Sequence, residues 1–384
     1  MTYHIFISTG EVSGDLQGAA LAQALYREAQ RHNLPLTISG LGGEKMAKAG
    51  VNLWGNTAAI GSIGLLEALP FVLPSFWLQQ RVRQKLRQYP PHLAVFIDYV
   101  TPNLAMGQFL KRHFAIPIVY YIAPQEWVWE FRNNTQLITQ FTDRILAIFP
   151  AEAAYYQQKG IQVTWVGHPL VEMMATVPDR SSCRAQLGIA PEALVVTLLP
   201  ASRRQEIQFL LPVMLQVARL LRQQLPEVEF LLPLSLPHYR PQVERCLTQF
   251  DLPVRVIADR AHIAIRAADL ALSKSGTVNL ETALLGVPQV VIYRVSALTA
   301  WVARRVLQFR IPFMSPVNLV LMQEVVPEFF QEQVEPQGIA HTCLQLLTDG
   351  ERRQQLLSQY EVIKSKLGDG TTTSQAAQAI LSML

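Results

Sequence analysis

Short apolar runs alternate with longer stretches of helical periodicity along almost the whole chain of 384 residues. This alternation is typical of parallel β-sheets whose strands are covered by helices on both faces. The clearest apolar runs are residues 4–8, 93–98, 194–199, 270–273 and 289–293. The sequence therefore predicts an α/β fold made of two tandem, doubly wound, Rossmann-like domains.

A boundary between the two domains is predicted near His168. The chain leaves a predicted strand there, and the prolines that follow interrupt its periodicity. We therefore assign residues 1–168 to the first domain and residues 169–354 to the second. The C-terminal segment from about residue 355 to residue 384 has a helical pattern, and we expect it to join the first domain.

Charge and cysteine content exclude several classes of protein. Lys and Arg total 33 against 29 Asp and Glu, and the opposite charges are interleaved, so nucleic acid is not an expected partner. Cys183, Cys246 and Cys343 are far apart and form no CxxC pair, which fits a reducing compartment. No secretory signal is visible at the N-terminus. Metal-binding motifs are also missing, so we expect neither a metal nor another cofactor.

Two turns in the first domain carry the candidate catalytic carboxylates. The first strand leads into Ser8–Gly18, a glycine-rich turn and helix start that contains Glu11 and Ser13. Asp98 ends a central strand, at the carboxyl edge where doubly wound sheets bind ligands. A carboxylate there can act as a general base, and burial would raise its pKa toward the useful range. A turn or capping role explains Asp98 equally well.

Aromatic residues after the next predicted strand indicate a binding wall. Trp127 and Trp129 follow Pro124, where a sugar ring or an acyl chain could stack on them. Core packing alone would explain one tryptophan. Two in a single loop favour a role in binding.

The second domain carries a first candidate phosphate-binding turn after residues 194–199. Ser202 and Arg203 follow this strand, and a guanidinium at a carboxyl edge suits a diphosphate. A helix start capped by Ser202 explains the same residues without a ligand.

A second turn of this kind follows residues 270–273. Ser275, Gly276 and Thr277 open a helix whose N-terminal amides would face an anion. Glu281, one helical turn further on, could accept hydrogen bonds from ribose hydroxyls. The pattern therefore predicts a nucleotide site in the second domain, with structural capping by Ser275 or Thr277 as the alternative.

Residues 60–87 combine an apolar, aromatic run with Arg81, Arg83, Lys85 and Arg87. Such a combination suits the surface of a membrane. A buried helix followed by a solvated basic helix is the alternative. Residues 301–313 have the same character.

In combination, these segments resemble the lipid-A-disaccharide synthase family, which are glycosyltransferases of the two-domain GT-B type. The resemblance covers nearly the whole chain through the ordered motifs GEVSGD at 10–15, IDYVTPN at 97–103, APQEWVW at 123–129, LPASRRQEI at 199–207, SGTVNLE at 275–281 and SPVNLV at 315–320. It implies that UDP-2,3-diacylglucosamine donates its sugar to 2,3-diacylglucosamine 1-phosphate. The products would be a β-1,6-linked disaccharide 1-phosphate and UDP, with inversion at the transferred sugar.

The resemblance also implies roles for individual residues. Asp98 is the first choice for the base that deprotonates the acceptor 6-hydroxyl, and Glu11 is the second. UDP would be bound by Ser202, Arg203, Ser275, Gly276, Thr277, Glu281, Asn318 and Gln331. The acceptor would contact Ser13, Asn103, Trp127 and Trp129. The family further implies a homodimer with exchanged C-terminal segments, at the cytoplasmic face of the inner membrane.

The chain departs from the family pattern at Ala201, where glycine is usual, and at Glu130, where a basic residue is usual. Ala201 adds a methyl group near the proposed diphosphate, and Glu130 changes the charge near the acceptor. Two alternative functions would share the nucleotide site. They are another GT-B UDP-sugar enzyme, such as an epimerase or a transferase to a soluble acceptor, and a non-catalytic protein that binds a nucleotide sugar.

Overall fold

The computed structural model describes residues 2–57, 65–128, 130, 132–200, 204–234, 237–295 and 312–384. The chain divides into two compact units. One is Met1–Pro169 with Leu367–Leu384, and the other is Leu170–Lys366.

The first unit contains a parallel sheet with the strand order β3-β2-β1-β4-β5-β6-β7 in its described part. Its strands are β1 (Tyr3–Thr9), β2 (Leu36–Gly42), β3 (Asn52–Asn56), β4 (Leu93–Ile97), β5 (Ile118–Tyr121), β6 (Arg144–Ala147) and β7 (Gln162–Trp165). The strand order reverses between β1 and β4, and doubly wound sheets bind ligands at the carboxyl ends of such a pair. The edge strand β3 is only partly buried, so no apolar run predicts it.

Helices cover both faces of this sheet. They are α1 (Glu11–Arg31), α2 (Glu44–Lys48), α3 (Leu65–Gln88), α4 (Val100–His113), α5 (Arg132–Phe141) and α6 (Pro150–Gln158). The residues of β4 and β5 are all buried between the two helical layers, which explains their continuous apolar sequence. No helix within the described ranges is both long enough and apolar enough to cross a membrane.

The second unit repeats this architecture with the strand order β10-β9-β8-β11-β12-β13 in its described part. Its strands are β8 (Val195–Leu199), β9 (Glu229–Leu234), β10 (Val254–Ala258), β11 (Leu270–Lys274), β12 (Gln289–Tyr293) and β13 (Glu328–Phe330). Its helices are α7 (Pro169–Ala175), α8 (Arg180–Leu187), α9 (Arg204–Gln224), α10 (Arg240–Leu247), α11 (Ala261–Ala267), α12 (Thr277–Leu284), α13 (Pro316–Leu321), α14 (Pro336–Thr348) and α15 (Gly350–Leu367). The predicted α/β class with two doubly wound sheets is therefore confirmed.

The C-terminal helix α16 (Thr372–Leu381) belongs to the first unit. Gln378 Nε2 donates to Glu28 Oε1 at 3.1 Å, which ties α16 to α1. The segment that joins this unit begins at Leu367 rather than near residue 355. The difference arises because α15 packs within the second unit, where Gln289 Nε2 donates to the buried Tyr360 hydroxyl at 3.3 Å.

Candidate active site

The turn after β1 and the turn after β4 lie side by side in the first unit. Strands β1 and β4 pair in parallel as far as Thr9 and Ile97, so the two segments that follow them leave the sheet at the same edge. Gly10 precedes α1, and any side chain at this position would collide with the ring of Tyr99. Glu11, whose side chain lies outside the described part, is the first residue of α1. The fold therefore brings together the segments that carry the two candidate bases.

The backbone at Asp98 adopts an unusual conformation. Asp98 and Tyr99 both have left-handed backbone angles, with φ of 45° and 51°. Such residues cost about 1 to 2 kcal/mol each, and they occur often at functional sites. The Asp98 carbonyl accepts hydrogen bonds from Asn103 Nδ2 at 2.7 Å and from the Tyr120 hydroxyl at 2.8 Å, which hold the turn in place.

Asp98 is exposed and lies just outside the buried strand that was predicted to include it. The physical reason is that β4 ends at Ile97, one residue earlier than expected. The left-handed turn then directs the chain away from the sheet. Asp98 consequently lies at the surface of the first unit, at the carboxyl edge of the sheet.

Asn103 is fully buried and holds the two turns together. Its Oδ1 accepts from the Ser8 hydroxyl at 2.7 Å, while its Nδ2 donates to the Asp98 carbonyl. These contacts indicate a positioning role, and a direct contact between Asn103 and the acceptor stays a prediction. Ser13 lies exposed in the first turn of α1.

Trp127 belongs to an aromatic cluster near the carboxyl ends of β5 and β6. Its ring centroid lies 5.5 Å from that of Phe149, which in turn lies 5.1 Å from the ring of His168. The Trp127 Nε1 atom is buried, and no described residue accepts its hydrogen bond. An unpaired buried donor of this kind is costly unless a ligand or an ordered water supplies the acceptor.

The other residues of this loop have separate outcomes. Trp129 lies outside the described residues. Glu130 forms an ion pair with Lys159 at 2.7 Å, so its negative charge is paired within the unit. Glu130, which stands where the family usually has a basic residue, therefore has a local partner in Lys159.

Glu152 links the loops that follow β5 and β6. Its Oε2 accepts from the backbone N–H of Ile148 at 2.8 Å and of Phe149 at 3.2 Å, and its Oε1 accepts from Ala123 N–H at 3.2 Å. Burial raises the pKa of this carboxyl to about 7. Three backbone groups that shape the Trp127 loop thus depend on one titrating side chain.

Glu152 makes stability pH-dependent. Its pKa is about 7 in the folded chain against an ordinary value of 4.5, so between these values the folded chain holds a proton that the unfolded chain has released. Its contribution is therefore present below pH 4.5 and lost as pH rises to 7. Relative to Glu152→Gln, we expect the unfolding free energy to fall by about 2 to 3 kcal/mol between about pH 4.5 and 8. Urea denaturation of both proteins at several pH values checks this, and a constant difference would contradict it.

In the second unit, β11 leads directly into the N-terminus of α12. Gly276 precedes the helix with a φ of 154°, a conformation that favours glycine, and Thr277 is the exposed first helical residue. Ser275 is buried, and its hydroxyl donates to the Met314 carbonyl at 2.5 Å. Ser275 therefore fixes the segment before α13, while the amides at the start of α12 remain the candidate anion-binding feature.

Lys274 is a candidate functional residue that the sequence interpretation missed. Its ammonium forms an ion pair with Glu206 at 3.2 Å, and both side chains are largely buried. A Cβ atom built on Gly276 would lie 3.1 Å from Lys274 Nζ, so the charge lies beside the start of α12. The sequence feature that could have identified Lys274 is its position at the end of a predicted strand, two residues before Gly276.

Glu281, the candidate ribose ligand, has a partner that the sequence did not indicate. His262 Nε2 lies 3.1 Å from Glu281 Oε2. Two residues earlier in α12, the buried Asn279 accepts from Gly276 N–H at 2.9 Å and donates to Lys274 O at 3.0 Å. This amide fixes the turn that presents Lys274 and Gly276.

Asn318 and Gln331 make hydrogen bonds within the protein. Asn318 is fully buried, and its amide bonds to the backbone of Val326 and to Glu328. Gln331 accepts from Val295 N–H at 2.7 Å. Both side chains shape loops of the second unit, and a direct contact with UDP stays a prediction for each. Ala201, Ser202 and Arg203 lie outside the described residues, between β8 and α9.

Comparison with solved structures defines the class. The chain superposes on a UDP-N-acetylglucosamine 2-epimerase from Neisseria meningitidis with a TM-score of 0.68, over 100% of both chains at 14% identity. A calicheamicin glycosyltransferase gives a TM-score of 0.61 over 100% of this chain and 99% of that chain, also at 14% identity. These likenesses concern the fold, which is the two-domain GT-B fold.

Sequence comparison defines the family. The family model described as lipid-A-disaccharide synthetase matches residues 5–381. A lipid-A-disaccharide synthase from Gloeothece citriformis is 49% identical over 379 residues, covering 98% of this chain and 99% of the relative. The corresponding protein from a Synechocystis strain is 50% identical over 381 residues, covering 98% and 97%. The chain belongs to the lipid-A-disaccharide synthase family and is a UDP-sugar glycosyltransferase of lipid A biosynthesis.

Proposed function

We propose that the enzyme transfers the sugar of UDP-2,3-diacylglucosamine to the 6-hydroxyl of 2,3-diacylglucosamine 1-phosphate. The single observation that carries this mechanism is the exposed Asp98 carboxylate on its left-handed turn. A single displacement requires a base that accepts the proton of the attacking hydroxyl, and an exposed carboxylate on this turn can do so. The products are the β-1,6-linked disaccharide 1-phosphate and UDP.

Asp98 acts as the general base, with Glu11 as the alternative. As the acceptor oxygen attacks the anomeric carbon, its proton passes to the carboxylate. The bond between that carbon and the UDP oxygen breaks on the opposite face, and its electron pair leaves with UDP. The configuration at the anomeric carbon is thereby inverted. The Trp127 Nε1 group, which is buried, donates a hydrogen bond to an oxygen atom of the acceptor substrate.

The second unit holds the UDP part of the donor. The N-terminal amides of α12 face the diphosphate, and Lys274 adds a positive charge beside Gly276. Negative charge grows on the diphosphate as the glycosidic bond breaks, so these groups stabilise the transition state more than the ground state. Glu281 accepts from the ribose hydroxyls while His262 orients it. Ser202, Arg203, Thr277, Asn318 and Gln331 complete the proposed donor site.

Both substrates carry acyl chains, which favours a membrane surface as the place of reaction, and the family resemblance implies the cytoplasmic face of the inner membrane. The exposed apolar side chains on α3 support this location. A homodimer with exchanged C-terminal segments is part of the proposal, and light scattering of the purified enzyme tests it. Within one chain, α16 packs on α1 through Gln378.

The test is a measurement of UDP release and product mass with both substrates, detergent and a chelator. We expect one UDP per disaccharide 1-phosphate formed. Release of UDP without a disaccharide would contradict transfer to this acceptor. Conversion of the donor to its 2-epimer would support the epimerase alternative instead.

A further inference from the structure

A cavity of about 400 Å³ lies between the C-terminal halves of α3 and α4. Its lining includes the guanidinium groups of Arg83, Arg87 and Arg112 together with the imidazole of His113. Its lining residues on α4, from Ala105 to His113, lie about 8 to 20 Å along the helix axis from the end near Asp98, at about 1.5 Å per residue. We call this cavity the basic pocket, and it is separate from the proposed catalytic turn.

The arginines of the basic pocket have no negative partner in the part of the chain that the structure describes. No acidic residue lines it, and among the described residues no carboxylate lies within ion-pair distance of its arginines. The neighbouring Lys111 differs, because it pairs with Asp143 at 2.7 Å. Such a concentration of unpaired guanidinium groups favours a bound anion.

The guanidinium groups are held in place without an anion. Those of Arg83 and Arg87 each lie 5.3 Å from the ring centroid of Phe109. Arg83 also donates one hydrogen bond to Ala105 O at 3.1 Å, while its Nε is buried and has no described partner. Burial and the nearby charge of Arg87 lower the pKa of Arg83. Preorganised donors with unused capacity fit a phosphate group, which accepts several hydrogen bonds.

The same face of α3 carries exposed apolar side chains toward its N-terminus. Leu73, Phe76 and Trp77 are 68%, 52% and 63% exposed. Positions 73, 77, 80, 84 and 87 follow one another at helical spacing, so one stripe joins the apolar residues to the basic pocket. Trp77 and Arg87 are about 15 Å apart along the helix axis. This arrangement places apolar groups at the acyl boundary and cations near the lipid phosphates.

We propose that the basic pocket binds the phosphate of an anionic membrane lipid while Leu73, Phe76 and Trp77 insert between acyl chains. The proposal rests on the proposed membrane location and not on the identity of the transferred sugar. It assigns Arg83, Arg87 and Arg112 to lipid recognition, outside the catalytic machinery.

The test measures binding of the whole enzyme to vesicles of phosphatidylcholine with or without about 20% phosphatidylglycerol. We expect Arg83→Gln/Arg87→Gln to weaken binding to the anionic vesicles about tenfold more than Arg81→Gln/Lys85→Gln, because only the first variant removes the guanidinium groups that would hold the lipid phosphate. Each variant loses two positive charges from the same helix. Arg81 and Lys85 do not line the pocket, so this second variant controls for net charge. Equal losses in the two variants would overturn the proposed site.

Two further measurements separate the possible failures. Tight binding of inorganic phosphate that needs Arg83 and Arg87, without preference for anionic vesicles, would assign the pocket to a free anion and overturn the lipid proposal. Sugar transfer in detergent should be unchanged in the pocket variant. If the pocket variant lost sugar transfer in detergent, the proposed separation of the basic pocket from the active site would be overturned. A wild-type enzyme that binds vesicles but transfers no sugar would refute only the proposed reaction.

Discussion

We expect the Asp98→Asn variant to bind UDP normally and to lose about 10³-fold in kcat. The amide cannot accept the proton of the acceptor hydroxyl, so the displacement loses its base. Folding should be unaffected, because asparagine tolerates the left-handed backbone of this turn, and the bonds from Asn103 and Tyr120 reach the main-chain carbonyl. Steady-state kinetics, UDP titration and thermal unfolding of the variant measure the three quantities.

Glu11→Gln is the matched control, because it makes the same chemical change on the adjacent turn. We expect a much smaller loss of kcat in this variant. A large loss with Glu11→Gln together with normal turnover in Asp98→Asn would transfer the role of base to Glu11. A variant that loses turnover and UDP binding together would instead indicate a structural defect.

We expect Lys274→Met to weaken UDP binding about 30-fold, which corresponds to about 2 kcal/mol for a charged hydrogen bond. Binding of uridine should change little, since uridine has no diphosphate. The methionine keeps much of the side-chain volume beside Gly276. Isothermal titration with UDP and with uridine measures both affinities.

The double variant Lys274→Met/Glu206→Gln separates binding from structure. Removing Lys274 alone leaves the largely buried Glu206 carboxylate without this ion pair, and the cost could distort the site. If Lys274 contacts the diphosphate, UDP affinity stays low in the double variant. Recovery of affinity in the double variant would show that the lysine serves only to neutralise Glu206.

Much of the fold follows from local sequence patterns. Strands buried on both faces, such as β4 and β5, have uninterrupted apolar sequences, and the segments between strands have helical periodicity. The edge strands β3 and β13 are only partly buried and therefore lack such runs. The limits of the C-terminal segment also depended on packing, because the contact of Tyr360 with Gln289 keeps α15 in the second unit.

The candidate site was predictable in position more than in detail. Asp98 and Thr277 follow strands, and the carboxyl edge of a parallel sheet is a ligand-binding edge in this class of fold. No comparable rule predicts which of the polar residues nearby contact a ligand and which hold the fold. Asn318, for example, makes hydrogen bonds to Val326 and Glu328 that the sequence did not indicate, and its contact with UDP stays a prediction.

The sequence by itself determined the α/β class, the two doubly wound sheets and the turns that carry the candidate residues, because these depend on neighbours a few residues apart. Only the tertiary structure decided which polar side chains hold the scaffold and which are exposed at these turns. Asp15 lies in the GEVSGD motif, yet it accepts from the backbone of Gly43 and Met46 at the start of α2. The basic pocket likewise needs α3 and α4 to lie together. Contacts between distant residues depend on packing, which local periodicity does not encode.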